Sequence, residues 1–176
     1  MKSFSIVVAM DEKNGIGKRG ALAWHLAADL KFFRKITTET TDPLKTNAVI
    51  MGRKTWDALP ENLKPLPRRL NVVLSHSSKI FVAGETLLFS SLEDALNDLE
   101  KKEKVESIFV IGGAQIYQRA MTHPDCHTLF VTHLKGDFGC DAFFPSIPAI
   151  FKLIKSCSWC HEGELSYRFC EYRKLV

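Results

Sequence analysis

The chain is expected to adopt an α/β fold: a mostly parallel, eight-stranded central sheet with an antiparallel C-terminal strand and helices on both faces. Three observations predict it. Short apolar runs alternate with helical patterns along most of the chain, several of those runs are apolar on both faces as buried parallel strands are, and the C-terminal part holds strands without helices.

Residues 5–10 form a buried strand, and 26–36 a helix, with Leu26, Leu30, Phe33 and Ile36 on its apolar stripe and Asp29, Lys31, Arg34 and Lys35 between them. Residues 47–51 are a second strand, ended by Gly52 and followed by a short helix over 54–59 that Pro60 stops. Strands follow over 70–75 and 86–89. Ser91, with Asp94 three residues on, caps a helix over 92–102. Residues 107–111 are another apolar strand, which Gly112 and Gly113 turn into a helix over 114–121. Residues 128–134, 152–160 and 167–174 are strands, the last two a hairpin turning near Gly163. No repeat or linker interrupts this order, so residues 1–176 are expected to form one domain, with its ligand site at the carboxyl ends of the strands.

Composition narrows the function without naming it. With 176 residues, 45% of them hydrophobic and 25% charged, the balance is that of an ordinary globular domain. Surface scaling lets such a chain bury roughly 70% of its unfolded surface, enough core to need no staples. A net charge of +4 suits an anionic ligand but is too small for a dense nucleic-acid face. The apolar run over 4–10 is too short to span a bilayer and no cleavage site follows it, so a cytoplasmic protein is expected. Five cysteines, Cys126, Cys140, Cys157, Cys160 and Cys170, cannot all pair. Cys157 and Cys160 form a CxxC, but in a strand residues three apart face opposite ways and no second CxxC completes a zinc set, so packing is the expected role. The histidines show no ligand spacing, and no metal is expected.

Three features could carry chemistry. Gly15, Gly17 and Gly20 have the spacing of a dinucleotide fingerprint, but residues 11–14 separate them from the strand and Trp24 follows where a helix should open, so a mobile loop is the better reading. Gly52, Arg53, Lys54 and Thr55 make a better phosphate site: a strand passes through one glycine into a helix start bearing two cations and a hydroxyl. An ordinary surface helix start fits that pattern about as well. A second junction, Gly112, Gly113, Ala114 and Gln115, allows close backbone approach, and two such junctions suggest an extended anionic cofactor. Asp29 sits in an apolar stripe beside Phe32 and Phe33. It is read equally well as a desolvated carboxylate for an amidine-like group and as a solvated first-turn aspartate.

Taken together the residues resemble the dihydrofolate reductase family along essentially the whole chain. The resemblance rests on Val7, Val8 and Ala9; Gly15, Ile16 and Gly17; Leu22 and Trp24 with Asp29, Phe32 and Phe33; the runs 49–56, 65–69, 73–75 and 110–117; Thr132 and His133; and 141–145. It implies NADPH-dependent reduction of 7,8-dihydrofolate to tetrahydrofolate, with hydride passing to C6 and a proton to N5. Asp29, supported by Thr132, would hold the pterin and tune its protonation, with Leu22 and Trp24 beside the reacting ring. Val7 and Ile111 would offer carbonyls. Phe33, Leu59 and Leu66 would line the pocket, with Val8 and Lys64 in the same set, and Arg69 would clamp the glutamate α-carboxylate. NADPH would lie along Ala9, Ile16, Gly17 and Leu22, with Thr55, Gly112, Gly113, Ala114, Gln115, Ile116 and Tyr117 near its pyrophosphate. Arg53, Lys54, Ser75 and His76 would surround its adenosine 2′-phosphate, with Leu74 in the same cofactor-binding set. The Gly112-Gly113 bond resembles the family's cis peptide, and residues 15–26 its lid.

Three positions depart from the family's pattern: Ala23 and Ala27 stand where proline is frequent, and Ser90 where a cation often reaches the 2′-phosphate. The length and the resemblance imply a stand-alone monomer that also binds antifolates and needs neither membrane nor nucleic acid. The alternatives are the riboflavin-pathway pyrimidine reductase, which lacks the Trp24-to-Asp29 spacing, and an idle folate- or RNA-binding homologue.

Overall fold

The structure is a computed structural model and describes residues 2–77 and 84–175. Its sheet has eight positions. The parallel strands are β1 (Phe4–Met10), β3 (Thr46–Gly52), β4 (Arg69–Leu74), β5 (Leu87–Phe89), β6 (Val105–Gly112) and β7 (Cys126–Leu134). The antiparallel part is β11 (Leu165–Lys174) against β7, with β9 (Phe151–Ser156) and β10 (Cys160–Glu162) sharing the far edge of β11. Across the sheet the order is β10-β11-β7-β1-β6-β3-β4-β5. The chain runs outward from β3 to β5, returns to place β6 beside β1, and then adds β7 on the other side of β1. The carboxyl ends of β1, β3 and β6 therefore open one crevice at the switch of direction.

Alternation along the strands divides the core into two layers. Val7, Val49, Met51, Val73 and Phe109 face one side, joined by Trp56 of α2 (Arg53–Ala58) and by Phe33 and Ile36 of α1 (Ala27–Thr38). Ile6, Val8, Ile50, Val72 and Val110 face the other. They pack on Leu92, Leu96 and Leu99 of α3 (Leu92–Glu100) and on Tyr117, Ala120 and Met121 of α4 (Ala114–Thr122). Burial on both faces is why these strands lack a polar alternation.

Several boundaries differ from expectation for local reasons. α1 runs two residues further because the hydroxyls of Thr37 and Thr38 donate to the carbonyls of Phe33 and Arg34, each at 2.7 Å. The expected strand over 152–160 breaks after Ser156. Cys157 there exchanges bonds with Phe169, donating its N–H to the carbonyl and accepting the Phe169 N–H on Sγ. Cys157 and Cys160 thus lie on different segments, and all five thiols are free. The expected loop over 15–20 contains a short strand, β2 (Gly15–Gly17), paired with β8 (Ala142–Phe143). The cap on α3 forms as expected, Ser91 Oγ accepting the Asp94 N–H at 3.0 Å.

Candidate active site

One face of α1 organises half of the crevice. Asp29, Phe33 and Thr37 are spaced four residues apart, so they stack along one side of the helix over about 12 Å. At the upper end Thr132 of β7 donates to Asp29 Oδ1 at 2.6 Å. Burial raises the Asp29 pKa above the ordinary carboxylate range, and the Thr132 bond opposes part of that rise. Trp24, buried against Phe138 at 5.2 Å, leaves its Nε1–H without a partner among the described residues.

At the lower end Arg69, on β4, donates from Nη1 to Thr37 Oγ1 at 2.9 Å and from Nε to the Pro67 carbonyl at 3.0 Å, with its guanidinium 5.7 Å from the Phe33 ring centre. Burial, then the nearby charges of Arg34 and Arg68, push its pKa down to about 10. Among the described residues no carboxylate pairs with it. A half-buried guanidinium among other cations is a setting that favours an anionic partner. Between the two ends Val7, Phe33, Leu59, Leu66 and Ile111 belong to one apolar cluster. Lys64 lies at the edge of this cluster, its ammonium 5.9 Å from the Trp56 ring centre and held by Glu61 at 2.9 Å and the Asp57 carbonyl at 3.2 Å. Val8 faces the opposite layer, so only its backbone borders this side.

The two glycine junctions meet. A Cβ on Gly52 would stand 3.1 Å from Ile116, and one on Gly113 would stand 3.3 Å from Thr55 Oγ1, so the starts of α2 and α4 abut with a bare backbone cradle between them. The Gly112-Gly113 peptide is cis. Arg53 and Lys54 project from this rim into solvent, Arg53 in a long 3.7 Å ion pair with Asp57, and Gln115 is also exposed. Tyr117 is instead buried: its hydroxyl donates to the Val7 carbonyl at 2.7 Å, and burial with the charge of Asp29 holds it firmly protonated. Along the neighbouring strand ends Leu74 is buried, while Ser75 and His76 lie at the surface rim, next to Ser90 beyond β5. Residues 78–83 lie outside the described residues.

Over the opening lies the segment 15–26. Ala9 packs beside Trp24, Ile16 rests on the core, and Leu22 is 54% exposed at the tip. The base of this segment is fixed by Asp11, a buried carboxylate that accepts the N–H groups of Lys13, Gly15 and Phe138 at 2.9, 2.7 and 3.1 Å. Gly17 cannot carry a side chain here, since a Cβ would lie 2.8 Å from the Ala21 carbonyl oxygen.

Residues 3–174 match the dihydrofolate reductase family. The chain belongs to that family. It is 44% identical to the dihydrofolate reductase of Drosophila melanogaster over 86% of this chain and 84% of that one. It is 40% identical to that of Heliothis virescens over 97% of each. It is also 40% identical to the bifunctional dihydrofolate reductase-thymidylate synthase of Daucus carota, over 99% of this chain but 34% of that one.

In this dihydrofolate reductase chain two carboxylates outside the expected set also shape the site. Asp11 lies between strand and glycines, and an aspartate three residues before Asn14 and four before Gly15 is a common loop-closing signal. Glu162 ends β10, beyond the strand expected over 152–160, and it binds the N-terminus of α1. No helix among the described residues is long and apolar enough to cross a membrane.

Proposed function

We propose that this protein is a single-domain, monomeric, cytoplasmic reductase that converts 7,8-dihydrofolate to 5,6,7,8-tetrahydrofolate at the expense of NADPH. The observation that carries the reading is the α1 stripe. A hydrogen-bonded carboxylate at Asp29, an aromatic wall at Phe33 and a half-buried guanidinium at Arg69 match, in order and over about 12 Å, a molecule with an amidine-like head, an aromatic body and an acid tail. Dihydrofolate has that order: pterin, benzoyl group, glutamate.

NADPH fits the other half of the crevice. The side-chain-free backbone at Gly52 and Gly113 suits a pyrophosphate, the exposed Arg53 and Lys54 suit a terminal phosphate, and Ala9, Ile16 and Leu22 offer an apolar wall to a nicotinamide. Bound there, the cofactor supplies the hydride of the reduction.

The protein's own contribution is position and electrostatics. Asp29 accepts two N–H groups from the 2-amino and N3 edge of the pterin, and Thr132 fixes which carboxylate oxygen faces the ligand. The charge held at Asp29 favours protonation at N5 without Asp29 itself being the donor. Arg69 sets the depth of the tail, and the segment 15–26 excludes water. Purified protein given NADPH and dihydrofolate should consume both in equal amounts; no loss of NADPH absorbance would refute the proposal. An idle folate-binding homologue would bind dihydrofolate without that loss.

A further inference from the structure

The N-terminus of α1 is not capped by its own sequence. Leu26 occupies the cap position in extended geometry, φ −130° and ψ 99°, and offers no side-chain acceptor. The Asp29 N–H turns back to the Leu26 carbonyl at 3.1 Å. The two remaining orphan donors both meet one residue from the far end of the chain: Glu162 Oε2 accepts the Ala27 N–H at 2.7 Å, and Oε1 accepts the Ala28 N–H at 3.0 Å. One carboxylate thus closes both open amides at the positive end of the helix dipole, one and two residues before Asp29.

The same hairpin grips α1 a second time. Glu162 pairs with Leu165 across the turn at Gly163, and further along β11 Phe169 stacks on Phe32 of α1 with ring centres 4.2 Å apart. Phe169 is also the register partner of Thr132. The β10–β11 hairpin therefore fixes α1, which carries Asp29, against β7, which carries Thr132, and the 2.6 Å bond between them spans that junction. A short bond between two elements tolerates little change in their spacing.

We infer that Glu162 is a positioning residue for the substrate carboxylate: by clamping the Ala27 and Ala28 amides it sets where Asp29 meets Thr132 and the substrate. The inference rests on the reading of Asp29 as the pterin anchor. Its test uses Glu162→Ala, Glu162→Gln and Ala27→Pro, alone and combined. Glu162→Ala raises KM for dihydrofolate about 5- to 30-fold while kcat and the KM for NADPH stay within about threefold, because two charge-assisted bonds are lost at the substrate end only. Glu162→Gln, whose amide oxygen still accepts one bond, falls between. Proline at position 27 removes one orphan donor and presets a helical φ, and the extended Leu26 before it already has the geometry proline requires. Ala27→Pro in the Glu162→Ala background therefore restores at least half of the lost affinity on a logarithmic scale, which recovery of overall stability alone does not explain if both single variants melt alike.

A turnover-independent readout is the Asp29 side-chain carboxyl resonance in ligand-free protein. Glu162→Ala shifts it and the double variant returns it toward the native position. An unchanged KM with an unmoved resonance overturns the inference, as does a loss in which kcat and both KM values change together without rescue by proline. If the native protein does not turn over dihydrofolate, the functional reading falls, and the carboxyl resonance still decides whether Glu162 positions Asp29.

Discussion

Replacing Arg69 with leucine removes the cation from the lower end of the crevice and leaves the apolar wall. The guanidinium carries five N–H donors, of which one on Nε and one on Nη1 are engaged by Pro67 and Thr37. The other donors, on Nη1 and Nη2, can present a two-pronged edge to a carboxylate. Two charge-assisted bonds at about 1.5–3 kcal/mol each, reduced because the crevice is open to solvent, leave about 2–4 kcal/mol, or roughly 30- to 900-fold in kcat/KM. The loss should fall mainly on KM, because the tail carboxylate is remote from the reacting carbon. The assay is steady-state NADPH oxidation with dihydrofolate, repeated with a dihydropterin lacking the acidic tail. Arg69→Leu should leave the truncated substrate within about threefold of native. Equal losses on both substrates, or no loss on dihydrofolate, would refute the clamp.

Three further outcomes follow from the same geometry. Thr132→Val removes the one contact that lowers the Asp29 pKa, so that pKa rises further. Since the protonated form of Asp29 is then favoured in the folded state, the stability deficit of the variant should be smaller at pH 5 than at pH 8, as read by paired melting curves. Gly15→Ala places a methyl 2.6 Å from Cys140 Cβ and 2.8 Å from Asp11 Oδ2, which at about 1–3 kcal/mol should lower Tm by roughly 2–12 °C. Ser90→Arg adds a cation beside the exposed rim of Ser75 and His76, so the NADPH to NADH ratio of kcat/KM should rise; an unchanged ratio would remove the adenosine phosphate from that rim.

The sheet was legible because β1, β3, β4 and β6 are largely buried on both faces and carry short, near-continuous apolar runs bounded by glycine or polar residues, too short for helices. The two glycine junctions were equally visible, since each couples a strand end to a helix start. What the sequence could not display were contacts between distant segments. Thr132 and Asp29, 103 residues apart, are joined only through the family resemblance, and nothing announces the pairing of Glu162 with Ala27, 135 residues apart. Tyr117 and Lys64 are placed near the ligands by the resemblance alone, and the contacts they make here, the phenol donating to the Val7 carbonyl and the ammonium to Glu61, are set by tertiary packing. The break after Ser156 was hidden for the same reason, because it depends on where Phe169 falls across the sheet.

The reduction itself rests on Asp29, and the comparison that tests it is NADPH oxidation by the native protein and by Asp29→Asn at neutral pH with saturating cofactor. Asparagine keeps the shape and can still accept from Thr132, but it carries no charge for the pterin. The native protein should oxidise one NADPH per dihydrofolate, and Asp29→Asn should lose about 100-fold or more in kcat/KM. Full turnover by Asp29→Asn, or none by the native protein, would contradict the account.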